Sequence, residues 1–280
     1  MALRSPIYLD TETLLSQAEY YDIEVPRQAE IVEKTVSKRH RDEKASVQDK
    51  AGDELADTDV EHQSTYSLKP REKATVSKVI DALIADAAIK VNPDGNTAFN
   101  KDDLIEIEGN ARITAASLAG KMFFIFRRLM DTAEGDLESI FNFDVEDVPV
   151  VEQLKQVYLR NELLPVPILL ELTGSSLPQK VYVNVRPDHF IDEASADRIE
   201  SEMRVLGSIS RLIPTGDEGY LSAEEWLLYG WEHMMRRILM TQVDDIVKNL
   251  ADQLDLNLPA EDVHASIAGP AVVINAIALY

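Results

Sequence analysis

A chain of 280 residues with 45% hydrophobic and 28% charged residues has ordinary globular composition and room for one large domain or two modest ones. It has no cysteine, which excludes disulfides, zinc–thiolate sites, iron–sulfur clusters and thiol catalysis, and fits a reducing compartment. Fifty acidic residues against 28 basic ones give a net charge of −22, which disfavours broad binding to nucleic acid or anionic membrane and reads first as solubility. A local basic patch could still act, because screening confines charge effects to about 8 Å.

The N-terminus, MALRSPIYLDTETLL, lacks the continuous apolar stretch of a signal peptide. Ile7–Leu9 predicts a short strand, and Asp10 or Thr11 predicts the N-cap of a helix carrying Leu14, Leu15, Ala18 and Tyr21. Pro26 interrupts, and Arg27–Ser37 is expected as a short helix or an extended arm. From Ser37 to Ser64 almost no large apolar residues occur, too few to offset the entropy of ordering. Residues 38–65 are therefore expected to be an acidic mobile linker or insertion after an N-terminal arm of residues 1–37. The KRHRDEK patch within it reads as a solvated mixed-charge cluster.

Ser67 and Pro70 predict a helix start, and Val76, Val79, Ile80, Leu83 and Ile84 form its apolar stripe. Ile89-Lys90-Val91, the turn NPDGN and the alternating run Leu104–Glu108, stopped by Gly109-Asn110, follow. Helix, strand, turn-rich connection and strand make the closing half of a winged-helix unit, so residues 66–148 are expected to be a helical, winged-helix-like domain. Its clearest helix is 113–134, with Leu118, Met122, Ile125, Phe126 and Leu129 on one stripe. The helix is no membrane span, because Lys121, Arg127 and Arg128 break it before the ~18 apolar residues a span needs.

Residues 149–280 read as an α+β domain. A short helix over Val150–Leu163 leads to strands at Ile168–Leu172, Lys180–Arg186 and Met203–Ile213, the last with Gly207 marking a bulge or bend. Ser222 and Glu225 resemble a capping box opening a long helix towards Leu254, and PAVVINAIALY reads as a terminal strand. The fold class expected is α+β. A helix-rich N-terminal half holds the partial winged-helix-like unit, and the C-terminal half is a small, mostly antiparallel sheet against a long helix.

Candidate chemistry is sparse. Phosphate-binding, dinucleotide-binding and nucleophile-elbow motifs are absent, and eleven glycines leave little for Gly-rich loops. No pair of the five histidines has metal-ligand spacing, so no metal and no cofactor are expected. His233 stands beside Glu232 and ahead of Arg236 and Arg237, and His189 follows the predicted strand end at Arg186. Glu106 and Glu108 share one strand face, where a carboxylate pair suits acid–base work or a divalent ion; a plain solvent face is the simpler account. Arg127, Arg128, Arg236 and Arg237 would form an anion site if the fold joined the two pairs, although local acids are their commoner partners.

Four segments, IYLDTETLLSQAEY, LIEIEGNARITAASLAGKMFF, VLGSISRLIP and GPAVVINAIALY, together resemble an uncharacterised prokaryotic family of conserved hypothetical proteins, a domain of unknown function. The resemblance spans most of the chain, with a variable polar insertion at residues 38–64. It implies a prokaryotic, cytoplasmic origin and brings no activity or catalytic residues to any position.

The leading functional expectation is a soluble, cytoplasmic, non-enzymatic interaction or regulatory protein, with a protein partner or self-association. The first alternative is a nucleic-acid-associated winged-helix-like regulator using Lys69, Arg71, Lys73, Lys78 and Lys90. The second is an enzyme whose site is assembled from separated residues such as His189, His233, Glu106 and the arginine pairs.

Overall fold

The computed structural model describes residues 4–23, 25, 70–131, 164–191, 198–216, 219–253 and 262–280, with backbone only at helical residues 70–73, 126, 128–131, 247 and 250–253. The predicted linker at 38–65 and the predicted helix at 150–163 lie outside the described residues.

β1 (Tyr8–Leu9) leads into α1 (Thr11–Tyr20), whose N-cap is Asp10: its Oδ1 accepts from the Thr13 backbone N–H at 2.9 Å. α2 (Pro70–Ala85) buries Val76, Val79, Ile80 and Leu83, the predicted stripe. β2 (Ile89–Val91), β3 (Leu104–Ile113) and α3 (Ala115–Asp131) follow. β4 (Ile168–Thr173), β5 (Lys180–Val185) and β6 (Glu202–Ile213) continue the sheet, with a 3-10 turn at Pro187–His189 after β5. A small ribbon of β7 (Tyr220–Ser222) and β8 (Ser266–Ala268) frames three helices, α4 (Glu224–Leu227), α5 (His233–Met240) and α6 (Val243–Gln253). β9 (Ala271–Leu279) ends the chain.

Five strands close on themselves. β3 pairs with β4, β4 with β5, β5 with β9 in parallel, β9 with β6, and β6 back to β3. This is a closed mixed barrel in the order of the Greek-key barrels of the OB type. β1 extends the barrel along the end of β9, and β2 extends it along the start of β3. The barrel interior holds Ile105, Ile107, Leu170, Leu172, Val181, Val183, Val205, Ile209, Val272 and Ile274. Two further cores lie outside it. α1 and α2 cover Leu104, Leu206, Ile277 and Ala278, while α3 and α4 cover Leu169, Tyr182, Ala271 and Val273.

The expectation of a helix-rich, winged-helix-like N-terminal half is overturned by this barrel. A wing is an antiparallel hairpin, but β2 and β3 run parallel, with Ile89 opposite Leu104 and Val91 opposite Glu106. Residues 92–103 form the crossover that parallel pairing demands. Lys90 ties it back, its Nζ donating to the Ala98 carbonyl and pairing with Asp103. β3 then runs through Gly109-Asn110, the predicted stop, to join both neighbours. Gly109 permits this because a Cβ there would lie 2.7 Å from the Thr173 carbonyl oxygen.

The C-terminal half is likewise not a small sheet on one long helix. The predicted helix towards Leu254 is three, broken by Gly230 at φ +76 and again after Met240. Ser222 is not its cap; Ala223 occupies that position without a side-chain bond. Gly207, by contrast, marks a bulge as its position suggested. Register shifts at Leu206/Gly207, where Ile277 is the extra residue of β9, so Ile277 and Ala278 both face outward. A Cβ at Gly207 would lie 2.4 Å from the Asn275 carbonyl oxygen.

Candidate functional site

OB-type barrels bind oligonucleotides on the outer face of their second and third strands, usually by stacking bases on exposed aromatics. β4 and β5 occupy those places here, and helices cover them. Leu169 and Tyr182 are buried in the core beneath α3 and α4. Trp226 of α4 donates its indole N–H to Asn184 Oδ1 at 2.9 Å, and Asn184 Nδ2 reaches Asn275 Oδ1 at 3.1 Å. Glu171 on the same face pairs with Arg112 at 2.6 Å. Arg112 also meets the fully buried carboxylate of Asp262 at 2.7 Å, and that carboxylate accepts from the Ala115 N–H at the start of α3. Asp262, then Glu171, hold the Arg112 guanidinium protonated to well above its ordinary range, against the opposing effect of burial. The whole face is therefore fastened to its helices.

The two acids of β3 differ sharply. Both reach Arg204 of β6, Glu108 at 2.6 Å and Glu106 at 3.3 Å, yet the Glu106 side chain is 1% exposed and Glu108 44%. Leu104 shares the Glu106 face, which packs under α1 and α2 rather than facing solvent. Arg4, bound to Asp81 of α2 at 2.6 Å, lies 3.8 Å from Glu106 Oε2 and stacks over the Tyr280 ring. Oε2 of Glu106 and the Tyr280 hydroxyl are buried without a hydrogen-bond partner. Burial first, and then the Glu106 carboxylate, push the Tyr280 phenol above its ordinary range. This cluster is an ion-pair lock between α2, β3, β6 and the N-terminal segment.

His189 lies elsewhere, 3.8 Å from both Asp10 and Asp188 and edge-on to Tyr8. His233 is the exposed first residue of α5. No hydrogen bond or ion pair among the described residues joins His189, His233 and Glu106, and no group of three or more acids or histidines there could hold a metal ion. Of the cations weighed for nucleic acid, Lys78 is exposed on α2 and Lys90 is paired with Asp103. The side chains of Lys69, Arg71 and Lys73, like that of Arg128, lie outside the described residues.

The fold does bring Arg127 and Arg236 to one place, the turn Tyr229-Gly230-Trp231. The Arg127 guanidinium lies against Gly230, where a Cβ would be 2.0 Å from Nη1, and Arg236 Nε donates to the Trp231 carbonyl at 2.8 Å. α5 leaves this turn with Glu232 as its N-cap, the carboxylate accepting from the Met234 and Met235 N–H groups. Its inner face packs Leu239 and Met240 on the core of α3 and α4. Its outer face presents Met234 at 61%, Met235 at 40% and Ile238 at 60% exposure. Tyr229 on the preceding turn is 46% exposed. The expectation of one long helix towards Leu254 missed this face. The available signal was Gly230 together with a segment, HMMRRILM, apolar on more than one side.

Among the described residues, these features define a helix-clad mixed barrel with an uncovered apolar face on α5. The sequence matches the family described as Domain of unknown function (DUF6414) over residues 3–280, and the chain belongs to that family. Neither the curated proteins nor the solved structures yield a match. No helix among the described residues is long and apolar enough to cross a membrane.

Proposed function

We propose that the protein is a non-enzymatic interaction module that engages a protein partner through the outer face of α5. The observation that carries the reading is the exposure of Met234, Met235 and Ile238 together on a helix whose other face is already packed. The apolar arc of α5 runs from Met234 and Ile238 through Met235 to Leu239, and only its Leu239 side, with Met240, is packed. Contiguous exposed apolar side chains mark association sites, and methionines suit them because their flexible thioethers adapt to a partner's shape. The barrel supports the role as a rigid mount, since α3 and α4 bury its outer face at Leu169, Tyr182, Ala271 and Val273.

The test is a photo-crosslinking amino acid placed at position 238, and at the exposed control position Lys101, in cells that express the protein. A discrete protein adduct from 238 that is missing from 101 supports the reading. Identical adducts from both positions, or none from 238, overturn it.

A further inference from the structure

The partner's chemistry is written in the charge around that face. The chain as a whole carries a net charge of −22. α5, HMMRRILM, has two arginines and a histidine and no acid along its eight residues. Arg237 lies one turn from both Met234 and His233, so a guanidinium and an imidazole run along one flank of the exposed apolar strip. Arg127 adds a third guanidinium at the turn that feeds the helix. Among the described residues, the acids nearest α5 in sequence are Glu232, whose carboxylate caps the helix, Asp244, which accepts from the Ala265 N–H, and the exposed Asp245. α5 itself is thus cationic, with two arginines and no acid, on a chain of net charge −22.

Resting on the interaction reading above, we propose that the occupant of this face is an acidic amphipathic helix of a partner protein. Its apolar stripe packs along Met234, Met235 and Ile238, and its flanking carboxylates meet the exposed Arg237. Helix-to-helix recognition needs anchors at i, i+3 or i+4 and i+7, and Met234 and Ile238 offer the i, i+4 spacing. A second copy of this chain is a poorer occupant. A two-fold contact places the same patch on both sides, so Arg237 and His233 would face their own copies. Guanidinium–carboxylate forks on the rim would select acidic over basic partners and quicken encounter.

The experiment uses the full chain and two fluorescein-labelled synthetic amphipathic peptides of about 18 residues, long enough for helix formation on binding. Both carry the same leucine stripe, with glutamate on the polar face of one and lysine on that of the other. Fluorescence anisotropy is expected to give a Kd of about 10 μM for the glutamate peptide. Binding should be at least about tenfold weaker for the lysine peptide, and should weaken as salt is raised. Ile238→Asp should cost about tenfold and Arg237→Glu about threefold, as expected for a central anchor and a rim charge. Met234→Asp is the second apolar variant, and circular dichroism checks that each variant keeps the wild-type fold.

Equal binding of the two peptides, tighter binding of the lysine peptide, or binding of neither overturns the proposal. So does a concentration-dependent dimer in sedimentation that Ile238→Asp dissolves, since a second copy would then occupy the face. If position 238 crosslinks a protein in cells while the glutamate peptide fails to bind, the interaction role stands and the acidic helix is wrong. If position 238 crosslinks nothing, both fall.

Discussion

The indole N–H of Trp226 and Oδ1 of Asn184 meet at 2.9 Å across the boundary between α4 and the barrel wall. Trp226 is 2% exposed, and Asn184 is in turn bonded to Asn275, so one indole is tied to two neighbouring strands. Trp226→Phe keeps most of the buried ring and loses the bond, with an expected cost of about 1 kcal/mol. Trp226→Ala also leaves a cavity and is expected to cost about 3–5 kcal/mol. Urea unfolding of the two variants separates the polar and the packing contributions.

Asp262 anchors a second junction. Its carboxylate takes Arg112 at 2.7 Å and the N–H groups of Ala115 and Val263 at 3.2 and 2.7 Å, all from a fully buried position. Asp262→Ala strands these donors and is expected to cost about 3 kcal/mol. Asp262→Asn keeps one acceptor oxygen and should lose less. Amide exchange at the first turn of α3 should accelerate in the alanine variant ahead of exchange in the barrel strands.

Asp103 is the source of a specific acid dependence. Desolvation alone would raise its pKa, but the Lys90 ammonium and the Asn100 N–H together lower it below its ordinary 3.8. A carboxylate whose folded value is depressed contributes stability that is complete above its unfolded value and is lost as pH falls through the folded one. Asp103→Asn is therefore expected to cost about 0.5 kcal/mol at neutral pH, a surface-pair magnitude. That cost should shrink once the pH drops below about 4, where the wild-type carboxylate also takes up its proton. Paired denaturation curves at neutral and acid pH test it; a cost that stays constant would sink the assignment.

Gly120 lets α3 lie directly on α4. A Cβ there would sit 2.0 Å from the Trp226 carbonyl oxygen and 3.0 Å from its carbon, both backbone atoms that cannot yield. Gly120→Ala, which improves intrinsic helix propensity, is nonetheless expected to destabilise by about 2 kcal/mol. A thermal midpoint equal to or above wild type would show that α3 and α4 separate more readily than this packing implies.

Short-range order was legible in the sequence. The N-cap at Asp10, the stripe of α2, the extents of β4 and β5 and the bulge at Gly207 all follow from capping, from periods of 3.6 and 2, and from glycine placement, each a matter of a few consecutive residues. Family membership was legible for the same reason, because it rests on recurring runs of residues.

The pairing of those elements was not. Whether β2 lies parallel or antiparallel to β3 depends on which edges remain free once β4 and β6 are docked, and the same alternating run serves either arrangement. The placement of the site followed the same rule. Alternation marks Glu106 as lying opposite Ile105 and Ile107, but only the docking of α2 and Arg4 makes that outward face a second core. The apolar residues of α5 announce burial in sequence, yet after Gly230 redirects the chain the barrel accepts Leu239 and Met240 and leaves Met234 and Ile238 outside. Periodicity records that a side chain is apolar; which apolar face finds a neighbour is decided by the closing of the barrel, through contacts between residues far apart in the chain.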